Sequence, residues 1–125
     1  MRYFVCPLGN LCSIAVSIED IERIISINEY HSKSSDTSSS TGEWKNAVSI
    51  PELLSLKGVI PAHGLILKTK TLLLLPGVEL EVEIPEEDIQ ELPGVLKTRT
   101  KYFKGLVFSN ENMILLVKSE TFAEG

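Results

Sequence analysis

The stretch Glu83-Ile84-Pro85-Glu86-Glu87-Asp88-Ile89, followed by Leu92-Pro93-Gly94, Tyr102-Phe103-Lys104-Gly105-Leu106-Val107 and Met113-Ile114-Leu115-Leu116-Val117, decides how this chain is read. It sets an acidic turn, a proline stop, an aromatic-Lys-Gly strand entry and a closing apolar strand in fixed order. Pro85 suits a first helical position, and Glu86, Glu87 and Asp88 suit the positive end of a one-turn helix. Lys104–Ser109 and Met113–Lys118 read as strands joined by the turn Ser109-Asn110-Glu111-Asn112. No catalytic residue set is embedded in this order, so it reads as the closing half of a binding module.

Upstream, Glu79-Leu80-Glu81-Val82-Glu83-Ile84 alternates strictly, which puts Leu80, Val82 and Ile84 on one strand face and three glutamates on the other. Gly64–Thr69 and Lys70–Leu75 are further strand candidates, with Pro76-Gly77 as punctuation. A strand over Glu43–Ser49 carries Trp44 as its largest buried side chain, and Pro51 predicts a helical turn after it. At the front, Tyr3-Phe4-Val5 and Ser13-Ile14-Ala15-Val16 flank Pro7, Gly9 and Asn10, the pattern of a hairpin. Ser17-Ile18-Glu19-Asp20 resembles a capping box. It predicts a short helix, or a helical turn leading into a strand over Arg23–Ile27. His31–Thr41 is dominated by serine and threonine, lacks apolar anchors and reads as a flexible, solvated loop. Short strands at about ten-residue spacing with one-turn helices between them indicate a barrel-type all-β architecture.

The 125 residues suffice for one domain, 1–125, with a real core. A net charge of −5 argues against nucleic acid, which calls for a basic stripe, and against an anionic membrane surface. No apolar run approaches the length of a membrane span, and a cytoplasmic location is expected. The spacing of Cys6 and Cys12 permits a disulfide, but the favoured reading is two free thiols held as small buried hydrophobes in a strand and turn.

Enzyme ingredients are sparse. Cys6, Cys12, His31 and His63 match no zinc spacing, no serine occupies a Gly-x-Ser-x-Gly turn, and Gly58, Gly64 and Gly77 are isolated. No cofactor or metal set is predicted. The alternative to a binding module is a small metal-dependent or hydrolytic enzyme using His63 with the acidic stretch Glu79–Glu91. Alternation sends the strand glutamates outward in a row, which favours a solvated face.

The order of segments resembles the CheW family, the coupling proteins of bacterial chemotaxis, which also occur as a domain of the kinase CheA. Tyr102-Phe103-Lys104-Gly105-Leu106-Val107 and Met113–Val117 are similar to the family's closing aromatic-x-x-Gly strand and its final apolar strand. Ile84–Ile89 with Leu92-Pro93 resembles the segment before it. Tyr3-Phe4-Val5 with Leu8-Gly9, and Ile21-Glu22-Arg23-Ile24, look like the first hairpin and the Val-x-Glu-Ile element. Gly42 and Ala47–Leu54 are similar to the Arg-Gly motif and the Pro-Val-x-Asp-Leu strand after it.

The resemblance implies two small SH3-like five-stranded β-barrel subdomains sharing a hydrophobic seam, with short helical turns and no catalysis. It also implies binding to a CheA-type histidine kinase, to the cytoplasmic tip of a chemoreceptor, or to both. The implied partner-binding residues are Ile21, Arg23 and Ile24, the stretch Gly42, Glu43, Trp44 and Lys45, and a groove bordered by Phe103, Lys104 and Gly105. Three departures fall on this surface or near it. Ser39-Ser40-Thr41-Gly42 stands where the family has Asn-Leu-Arg-Gly, Arg23 replaces the Glu of Val-x-Glu-Ile, and the aspartates expected near Ser49, Pro76 and Lys118 are missing.

Overall fold

Apolar residues that are neighbours in the sequence face two different cores, and this organises the strands. A computed structural model describes residues 2–8, 12–35, 38–77, 80–92, 94, 102–109 and 112–124. In chain order the elements are β1 (Arg2–Pro7), β2 (Cys12–Ser17), a 3-10 turn (Ile18–Asp20), β3 (Ile21–Ser26), α1 (Ile27–Lys33), β4 (Ser34–Ser35), β5 (Ser38–Ser39), β6 (Asn46–Ser49), α2 (Ile50–Leu53), β7 (His63–Leu67), β8 (Thr71–Leu75), β9 (Leu80–Glu83), a second 3-10 turn (Glu86–Asp88), β10 (Phe103–Ser109), β11 (Asn112–Val117) and a closing 3-10 segment (Ser119–Glu124).

Two main sheets form. The first has five strands in the order β10-β11-β2-β1-β9, the second four in the order β3-β7-β8-β6, and β4 and β5 make a small separate ladder. Most neighbours are antiparallel, but β11 pairs with β2, and β6 with β8, in parallel. Residues 21–75, the second sheet included, lie in sequence between strands β2 and β9 of the first.

β8 shows the packing logic. All of its residues are buried, Leu73 and Leu75 on one face and Leu72 and Leu74 on the other. The first face enters a cluster drawn from both sheets, including Leu65 and Leu67 of β7, Ile14 and Val16 of β2, and Leu115 and Val117 of β11. This is the hydrophobic seam between the sheets, and each fully buried aliphatic side chain in it contributes about 1.5–3 kcal/mol of transfer free energy. Tyr3, Ala15, Ile84 and Leu116 form a second cluster on the far face of the first sheet. Ile25, Trp44, Ile66, Leu72 and Leu74 form a third on the far face of the second sheet.

The mostly-β architecture with two small units is as the sequence predicts, and the closing strands fall within a residue or so of their expected bounds. Val82 packs inward while Glu81 and Glu83 stay exposed, and Glu86–Asp88 makes the expected turn. The inward placement of Leu80 and the turn through Asn110 and Glu111 lie outside the described residues or side chains.

Three expectations need correction. The sheets do not close into five-stranded barrels: among the described residues the first ends at β10 and β9, and the second has four strands ending at β3 and β6. Part of the β10 edge is covered by Gln90, whose N–H donates to the Leu106 carbonyl (2.8 Å) and whose carbonyl accepts from the Leu106 N–H (3.0 Å). The strand predicted over Glu43–Ser49 starts only at Asn46. Upstream of it the backbone turns back onto β5, with the Ser39 N–H donating to the Trp44 carbonyl (3.0 Å) and the Trp44 N–H to Ser39 Oγ (3.1 Å). Finally, the described residues of 31–41 are not all irregular: α1 runs to Lys33, and Ser34–Ser35 pairs with Ser38–Ser39. Side chains and backbone outside the run supply the order that serine and threonine composition does not advertise.

The capping-box motif resolves to its second alternative, a 3-10 turn leading into β3. Ser17 makes no side-chain capping hydrogen bond there. The turn ends because the Asp20 carbonyl accepts from the Lys68 N–H (2.9 Å), which commits the chain to pairing with β7.

Candidate functional site

Arg23 projects from β3, an end strand of the second sheet, and is exposed. Its Nη2 donates to Glu29 Oε2 (2.6 Å) on α1 and to Glu43 Oε2 in the turn before β6. Lys33, one helical turn after Glu29, donates from Nζ to Glu29 Oε2 and Glu43 Oε1, both at 3.1 Å. Thr41 Oγ1 also donates to Glu43 Oε1 (3.1 Å). Two guanidinium and ammonium cations and two carboxylates therefore form a closed, neutral ring joining β3, α1 and the turn. Gly42, at φ 80°, supplies the left-handed residue that turns the chain back so that Glu43 reaches the ring.

The electrostatics follow from that geometry. Arg23 and then Lys33 hold the Glu43 carboxyl at a pKa of about 2, and the same two cations lower that of Glu29. The carboxylates in turn raise Lys33 and Arg23. Beside the ring, Lys70 Nζ lies 3.3 Å from Glu22 Oε2, and the Lys70 carbonyl accepts from the Lys45 N–H (2.8 Å). Glu22, Arg23, Glu43, Ile66 and Lys70 line a shallow hollow here.

The structure thus gathers Arg23, Gly42, Glu43, Trp44 and Lys45 around one end of the second sheet, with Ile21 and Ile24 on the same strand as Arg23. They differ in availability. Ile24 is 39% exposed, whereas Trp44 is 1% exposed and belongs to the third core cluster, its ring centroid 6.1 Å from that of Tyr30. Ile21 packs against the seam.

Phe103, Lys104 and Gly105 lie on β10, in the other sheet. Phe103 sits in the seam and Gly105 is buried against Ile89 and Gln90, which leaves Lys104 exposed, 5.3 Å from the Tyr3 ring centroid. The expected site therefore splits into an edge of the second sheet and one lysine of the first. Glu29 and Lys33 are the members that the motif reading missed. Their i, i+4 spacing, Glu before Lys, was the available signal.

His63 is exposed at the start of β7, while the acidic strand β9 ends the other sheet. Among the described residues, no three His, Cys, Asp or Glu side chains gather as a metal site. Cys6 and Cys12 are free thiols. No helix among the described residues is long and apolar enough to cross a membrane.

No protein-family model matches the sequence, and no curated protein matches it. Solved structures do match in three dimensions. The scaffolding protein TtCheW from Thermoanaerobacter tengcongensis aligns with a TM-score of 0.71, covering 94% of this chain and 88% of that one at 16% sequence identity. The fold is CheW-like. The Arg23–Glu43 ring decorates the β3 edge of the second sheet.

Proposed function

We infer that this chain is a non-enzymatic adaptor in a chemotaxis-type signalling assembly in the cytoplasm. Its partners on this reading are the regulatory domain of a CheA-type histidine kinase, the cytoplasmic tip of a chemoreceptor, or both. The supporting observation is the CheW-like fold over 94% of the chain. On this reading its binding face is the β3 edge, which carries the exposed apolar side chain of Ile24 and the Arg23 guanidinium ion-paired to Glu43. An apolar anchor within a polar rim is the usual anatomy of a protein contact.

Titration of isotope-labelled protein with a kinase regulatory domain, and separately with a receptor-tip fragment, tests this. Binding of either, with amide shifts at Ile24 and Lys45 and at least about tenfold weakening in Ile24→Asp, supports the adaptor role. Absence of binding to both removes it and leaves the fold standing.

A further inference from the structure

The third core cluster is incompletely covered. Ile27, Tyr30, Ala47 and Leu74 belong to that cluster and also line a groove of about 660 Å³ between α1, β6 and the segment before β7. Ile60, on the groove's rim, is 80% exposed. Ile60 extends the apolar lining of the groove beyond the cluster itself. Ala47 and Ser49, two residues apart on β6 and so on the same face of it, both line the groove. An occupant would therefore be read by its side chains.

Charge selects the occupant. Of the residues lining the groove, Glu52 is the only Asp, Glu, Lys or Arg. Glu52 makes no ion pair among the described residues, whereas Glu22, Glu29 and Glu43 are all paired within the chain. The Arg23–Glu43 ring is internally neutralised; the groove is not. A lone carboxylate on an apolar wall is complementary to a cation carried among apolar side chains.

We propose that this groove docks an amphipathic helix of a partner protein, two or three aliphatic side chains filling the apolar floor and a flanking lysine or arginine pairing with Glu52. Side-chain anchors at helical spacing match a groove of this lining. The proposal concerns a face other than the β3 edge and stands independently of the adaptor reading.

The test uses the intact, isotope-labelled chain and two synthetic amphipathic helical peptides that differ only in carrying lysines or glutamates beside the same leucines. The lysine peptide should shift the backbone amide signals of Tyr30, Ala47 and Ile60. Ile60→Asp should weaken it by about tenfold or more. Glu52→Lys should reverse the preference between the two peptides. Both sites are exposed, so the variants should fold, and their unperturbed spectra check this. The proposal is overturned if neither peptide binds, if the shifts map elsewhere, if both peptides bind equally, or if neither substitution changes binding.

Discussion

Arg23 on β3 and Glu43 in the turn before β6 are ion-paired across twenty residues of sequence, and Lys33 of α1 completes a ring with them through Glu29. The pairing ties helix and turn to the same edge of the second sheet. Glu43 is held at a pKa of about 2, against an ordinary value of 4.5. A carboxyl depressed in the folded state adds stability above its unfolded value, and that stability is lost as pH falls through the folded one. Urea denaturation should therefore show a decline between about pH 4.5 and pH 2 that is smaller in Glu43→Gln. An identical pH profile in the variant would show that the ring contributes nothing.

Gly105 permits a close backbone approach. A Cβ there would lie 2.7 Å from Ile89 Cγ2 and 2.8 Å from the Gln90 carbonyl oxygen, which takes part in the bridge to Leu106. Gly105→Ala should cost about 1–3 kcal/mol by overpacking. At Gly64 a Cβ would meet the side chains of Leu72 and Ile25, which can rotate, so Gly64→Ala should cost less. Equilibrium unfolding of the two variants ranks them, and the reverse order would contradict the contact geometry.

Trp44 is the only tryptophan, so intrinsic fluorescence reports one site. Its burial in the third cluster predicts blue-shifted emission and poor quenching by acrylamide in the free protein. Trp44→Ala should destabilise by about 3–5 kcal/mol. Easy quenching would place the indole at the surface, as a partner-contact role requires.

The two thiols should separate kinetically. Burial pushes Cys6 up to about 12, and it also raises half-buried Cys12. Only the thiolate reacts with a disulfide reagent. At pH 8 Cys12 should be modified first, and Cys6 only as the protein unfolds. Equal rates in the native state would contradict the burial of Cys6.

What was legible in the sequence tracks how locally each feature is encoded. The alternation of Val82 and Ile84 against Glu81 and Glu83, and the apolar run through Val117, specify strands by themselves, and the structure has them. The helix through Lys33 and the pairing of Ser34–Ser35 with Ser38–Ser39 are held by contacts with Arg23, Glu43 and Trp44, so serine-rich composition alone points to a loop. The site residues were legible as positions but not as environments. Nothing around Trp44 or Phe103 in the sequence says that one fills the third cluster and the other the seam, because both cores are assembled from strands distant in the chain.

The parallel pairing of Cys12–Ala15 with Met113–Leu116 has a consequence for biosynthesis. The second sheet is encoded within residues 21–75 and can assemble while the ribosome is still extending the chain. β2, made earlier, stays without one neighbour until β11 emerges about a hundred residues later. Contacts so far apart in sequence close slowly and leave a strand edge open in the interval. The first sheet, drawn from strands on both sides of residues 21–75, is thus the last to be completed, and a nascent chain stalled short of β11 would carry one finished sheet and one adhesive edge.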